Sequence, residues 1–178
     1  MAEATLRKPL TQRPLDFFYF VYFILHIFVT CVVDSAGLLP PSRRAWFQTA
    51  LLQVQIEQNK DPLMANPPVW LRLYLLVELV VQLPIFIFGA IALYKNSRKV
   101  YIALLIYGVN ASITTLACLG EIVWGYPNAP LTFDERASLF WIYLPTFLIP
   151  LAMTIDMVDR MVRWTIVDDG ASEAKKKD

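Results

Sequence analysis

Long apolar runs dominate the chain, and polar residues recur inside them at helical spacing. About 20 mostly apolar residues are needed to cross a bilayer as a helix. Four runs meet that length: Leu15 to Leu39, "LDFFYFVYFILHIFVTCVVDSAGLL"; Val69 to Tyr94; Val100 to Trp124; and Ser138 to Ile155, extending to Trp164. Val, Ile and Phe also favour strands, but these runs are too long and lack regularly spaced turn signals. A membrane barrel would alternate apolar and polar positions, and these runs do not. Helices close their own backbone hydrogen bonds, as hydrocarbon requires. The pattern predicts an all-α, integral membrane four-helix bundle over residues 15–166. It lies between an N-terminal segment, 1–14, and a lysine-rich tail, 167–178.

The first run is too long for a cleaved signal, whose apolar region is about 7–15 residues. Basic residues in short loops orient the spans. They cluster at Arg7, Lys8 and Arg13, at Lys95, Arg98 and Lys99 in "KNSRK", and at Arg160, Arg163 and Lys175 to Lys177. A four-span chain puts these segments on one side, so both termini are predicted to be cytosolic. The loop after the third run carries Glu121, Asp134 and Glu135 against Arg136 alone. Between the first two runs, Trp46, Phe47, Ala50, Leu51, Val54 and Ile56 fall largely on one side of a helix. This predicts a short amphipathic helix over the lumenal mouth of the bundle. "NKDPLMANPP" ends it, and Pro67 and Pro68 deliver the chain into the second span. Near the C-terminus, Lys175 and Lys176 match a dilysine retrieval signal, an address rather than an anchor. The alternative is a solvated charge run beside anionic headgroups. Either favours a multi-pass protein of the endoplasmic reticulum membrane.

Composition narrows the chemistry. The chain is 57% hydrophobic and 17% charged, against about 45–50% and 25% for soluble domains. A net charge of +1, with no basic patch among aromatics, argues against nucleic acid. Cys31, Cys118 and the lone His26 form no metal motif, and both cysteines are expected to be buried free thiols. No phosphate loop, nucleophile elbow or cofactor fingerprint is present.

What stands out is the stretch "LVELVVQLP", residues 76–84, with an acid in mid-span. An ionisable group there costs roughly 2.5–3.5 kcal/mol on insertion scales, so such groups face a cavity or a partner. Asp34 in the first span and Glu78 in the second, antiparallel to it, come to similar depth. His26, Thr30 and Asp34 share one face. So do Tyr74, Glu78 and Gln82, then Tyr107, Asn110 and Thr114, then Tyr143 and Thr146. Four inward polar stripes between apolar walls have the composition of a ligand pocket. Two acids in low dielectric hold one proton between them. Arg72 lies too far outward to neutralise the remaining charge. An amphiphilic amine would supply the missing cation. The alternative makes Asp34 a hydrated cap at the interface and Glu78 a helix–helix bond to Thr or Asn. For His26, Tyr107 and Tyr143 the alternative is packing. Pro84, Pro145 and Pro150 predict kinks that widen a cavity. Trp124, Tyr126 and Trp141 read as interface anchors.

The stretches "YFILHIFVTCVVDSAGLLP", "KDPLMANPPVWLRLYLLVELVVQLP", "IYGVN" and "ERASLFWIYLPTFLIP" resemble the sigma-2 receptor family. That family belongs to the wider group of membrane domains that includes emopamil-binding sterol isomerases. The resemblance implies four helices around a pocket open to the bilayer, an endoplasmic reticulum location, homodimers, and a tie to cholesterol handling. It implies binding of sterols and cationic amphiphiles, with Asp34 as the amine-pairing aspartate and Glu78 as its companion. Gln82, Tyr107 and Tyr143 fall on pocket positions. Thr114 matches a pocket threonine with its spacing shifted by one. The isomerase branch carries a glutamate four residues after its first-span histidine; here Thr30 follows His26 at that spacing. His26, Asp34 and Glu78 still form an acid–base set that an isomerase would use. The leading expectation is a non-enzymatic binder that regulates lipid handling or a membrane protein partner. A membrane assembly factor or chaperone is a third.

Overall fold

A computed structural model describes residues 8–125 and 131–175, with side chains as far as residue 166. All regular structure among them is helical. Four helices are long and apolar enough to cross a membrane: span one, Pro14–Leu38; span two, Val69–Tyr94; span three, Arg98–Gly125; and span four, Phe133–Ile166. This is the architecture of a multi-pass membrane protein. Tyr126, Lys176 and the side chain of Lys175 lie outside the described residues.

Span four begins at Phe133 rather than Ser138, for a reason written in the sequence "TFDE". The Thr132 hydroxyl accepts from the Glu135 N–H at 3.2 Å, and the Glu135 carboxylate accepts from the Thr132 N–H at 2.8 Å. This reciprocal pair is a capping box. The helix then continues to Lys175 without a break at residue 167, and passes through Pro145 and Pro150. Pro150 has no N–H to give the carbonyl of Thr146. The Thr115 hydroxyl of span three donates to that carbonyl instead, at 3.4 Å.

Span three packs along span four, and span one along the second half of span two. Small residues allow the close approach. A Cβ on Gly108 would stand 2.8 Å from the Pro150 carbonyl oxygen, and one on Gly89 would stand 2.8 Å from the Phe23 ring. Phe23, Phe86 and Tyr107 form the centre of the bundle, their ring centroids 5.0–5.3 Å apart. Where the start of span one meets span four, buried Asp16 bonds both Arg13 and Arg160. Arg160 also pairs with Asp156 at 2.8 Å.

Spans one and two are not uniform α-helices. Thr30–Asp34 and Glu78–Gln82 are π-helical turns, in which an N–H bonds the carbonyl five residues back. In span two the turn precedes Pro84, whose ring would crowd the carbonyl of Val80 inside it.

One expectation needs correction, and one is given a direction. Cys118 is buried, but Cys31 is exposed on the outer face of span one. Thr30 and Asp34 turn inward, and the helical rotation to the residue between them swings Cys31 outward. The loop helix exists, over Trp46–Gln53, with a π turn at Val54–Gln58. Its apolar stripe, however, faces away from the protein: Trp46 is 83% exposed, with Phe47, Leu51 and Val54 also outward. Gln48 and Leu52 are the buried positions. In a membrane protein the apolar stripe has the bilayer boundary to face, so the polar side can turn inward.

Candidate ligand pocket

The two π turns of spans one and two touch each other. Their meeting places a carboxyl from each span side by side. The Thr30 hydroxyl donates to Glu78 Oε1 at 2.7 Å. The Asp34 and Glu78 carboxyls are neighbours there, and both face the same space. Beside them lies a cavity of about 250 Å³.

Most of the polar residues singled out from the sequence line that cavity. Asp34, Glu78, Gln82, His26, Tyr74, Tyr107, Thr114, Tyr143 and Thr146 all contribute to its wall. Thr30 and Asn110 do not. Thr30 is fully buried behind the Glu78 carboxyl. Asn110 stands behind Gln82, whose amide donates to Asn110 Oδ1 at 2.7 Å. No lysine or arginine is among the lining residues, and Arg72 is turned to the Pro67 carbonyl at 3.0 Å. The bond between Glu78 and a threonine is the one the packing alternative anticipates. The difference is that the acid pair also borders open space. Asp34 faces the cavity rather than capping a following turn, since no side-chain cap bond forms there.

The wall contains residues that sequence reasoning passed over. Tyr22 lies one turn before His26, and the two rings lie tilted against each other with centroids 4.1 Å apart. Thr115, Gln55 and Met64 also line the cavity. Behind Tyr143 sits Asp61, 1% exposed. Its Oδ1 accepts from the N–H groups of Leu63 and Met64 at 2.9 and 3.2 Å. Its Oδ2 accepts from Gln55 Nε2 at 2.8 Å and from the Tyr143 hydroxyl at 2.7 Å. The signal for this role was Asp61-Pro62, an N-cap acid before a proline at the first helical position.

Several hydroxyl hydrogens in and behind the wall are spent. Tyr143 donates to Asp61, Tyr107 to the Tyr22 hydroxyl at 3.1 Å, and Thr30 to Glu78. Thr114, Thr115 and Thr146 donate to backbone carbonyls. What remains toward the cavity is the lone pairs of these groups, the acid pair, and the hydroxyls of Tyr22 and Tyr74. The acid pair and these lone pairs are complementary to a guest that donates hydrogen bonds.

Residues 46–157 match the family described as EXPERA (EXPanded EBP superfamily). The chain belongs to the EXPERA family. The Xenopus tropicalis protein named Sigma intracellular receptor 2 is 35% identical over 152 residues, covering 82% of this chain and 89% of its own. The human protein of that name is 31% identical over 159 residues, covering 84% and 90%. A Saccharomyces cerevisiae protein, Efficient mitochondria targeting-associated protein 19, is 33% identical over 149 residues, covering 76% and 92%. The EXPERA match begins at Trp46, so it takes in Glu78, Gln82, Tyr107 and Tyr143 and leaves out the first span.

Proposed function

We propose that this EXPERA protein binds a sterol or a cationic amphiphile in the pocket between its spans, and through that binding regulates lipid handling or a membrane partner. One observation carries the reading: an acid pair borders a cavity whose wall offers acceptors and no cation. A sterol hydroxyl or an ammonium group supplies the donor, and an apolar body fills the space between Val29, Val33, Leu71, Leu75 and Ile142. Sigma intracellular receptor 2 is named as a receptor, which is the same class of role. The setting proposed with it is the endoplasmic reticulum membrane, with both termini and the KNSRK turn cytosolic and two copies per assembly.

Lipid mass spectrometry on gently purified wild type beside Glu78→Gln tests this. A sterol or amine should copurify with the first and be lost from the second. Equal recovery from both would remove the pocket from the function. Two further readings each have an observation behind them. His26 borders the same cavity as Asp34 and Glu78, as an isomerase would need. Conversion of an 8,9-unsaturated sterol to its 7,8 isomer by the purified protein would make it an enzyme. The yeast relative's name speaks of mitochondria targeting, which favours an assembly factor. In that case Asp34→Asn should abolish amine binding and leave cellular function intact.

A further inference from the structure

The π turn in span one has a backbone consequence. In an α-helix the Ser35 N–H would bond the Cys31 carbonyl, four residues back. Here it bonds the Thr30 carbonyl instead, which deprives the Cys31 oxygen of its ladder donor. Side chains fill the vacancy. The Ser35 hydroxyl donates to the Cys31 oxygen at 2.6 Å. Gln48, from the loop helix, donates through Nε2 to the Ser35 oxygen at 2.9 Å and reaches the Cys31 oxygen at 3.5 Å. The other end of the Gln48 amide accepts from the Ala45 N–H at 3.0 Å, which fixes its orientation. Gln48 is 9% exposed, on a helix whose Trp46, Phe47 and Leu51 point outward.

We propose that Gln48, acting through Ser35, is a positioning residue for Asp34. The relay Ala45 to Gln48 to Ser35 to Cys31 satisfies the carbonyl that the π turn orphans and so holds span one in that turn. The turn sets the rotation of Asp34 toward Glu78. Reversion to an α turn would return the Ser35 N–H to Cys31, make the relay redundant and rotate Asp34 away from its partner. The loop helix is thereby coupled to the geometry of the pocket. This rests on reading Asp34 and Glu78 as the ligand site.

The test uses the full chain in phosphatidylcholine nanodiscs and a radiolabelled amphiphilic tertiary amine as probe, with thermal unfolding followed in parallel. Gln48→Met keeps the size and removes the amide; Gln48→Glu keeps the acceptor for Ala45 and removes the donor. Ser35→Ala removes the hydroxyl, and Ser35→Thr keeps it. Loss of one such bond should weaken probe binding about fivefold in each of the first three variants. Ser35→Thr should bind like wild type. The Gln48→Met/Ser35→Ala double variant should bind little worse than the weaker single one, because both act through one carbonyl. Additive losses, a Ser35→Thr variant no better than Ser35→Ala, or wild-type affinity in both Gln48 variants while Asp34→Asn loses the probe would overturn the positioning role and leave the site standing. Wild-type affinity in Asp34→Asn would instead remove the site reading, and this inference with it.

Discussion

Where the start of span one meets span four, Asp16 is 5% exposed and sits between Arg13 and Arg160, with Asp156 completing the set. Toward the other end, Asp34 and Glu78 meet beside a cavity with each other and Thr30 for company. Both regions bring acids from separate spans together in a low-dielectric interior. In the first, each negative charge is answered by a guanidinium, and the result is a clasp that joins span one to span four. In the second, no cation among the described residues borders the space, and a guest can supply it. A buried acid already paired reads as structure; a buried acid pair facing open volume reads as a site.

The contrast can be broken from either side. Asp16→Asn strips two arginines of their buried partner and should cost about 3–5 kcal/mol of stability, measured by unfolding in mild detergent. Asp61→Asn swaps an acceptor oxygen for an amide facing donors. It should cost about 1–3 kcal/mol and loosen Tyr143, read as a fall in unfolding midpoint together with weaker amine binding. Glu78→Gln removes an acid that no cation among the described residues offsets. Its stability should stay within about 1 kcal/mol of wild type while amine binding falls at least about tenfold, in a paired unfolding and binding assay. A Glu78→Gln variant as unstable as Asp16→Asn would erase the distinction between clasp and site. The smallest effect is expected at Thr115→Val, about 0.6 kcal/mol, because the Thr146 carbonyl loses a single neutral bond.

Much of this was legible in the sequence because the rules involved are coarse. Span length follows from bilayer thickness, and inward polar stripes follow from helical repeat, so the meeting of Asp34 and Glu78 could be anticipated. The layering of the wall could not. Thr30 and Asn110 share the face of their neighbours, yet each sits behind one, because packing between spans decides which polar residue reaches the cavity. The start of span four was written in "TFDE", a capping box that hydropathy does not register. The loop helix presents its apolar stripe outward because the surroundings are lipid, a reversal of the soluble-protein rule. The role of Asp61 depends on a contact with Tyr143 across 82 positions of chain. The π turns left no trace in hydrophobic periodicity, since they reassign one backbone bond and change no residue type.

A wide turn accommodates one more residue than the regular coil around it. Span one has 25 residues and span two has 26, more than the roughly 20 that a crossing demands. Deleting one codon within either wide turn would leave a segment that still inserts, while the stretch beyond it would be rephased. The acid would then look outward into lipid. Membrane insertion alone places no premium on that extra residue; the cavity does.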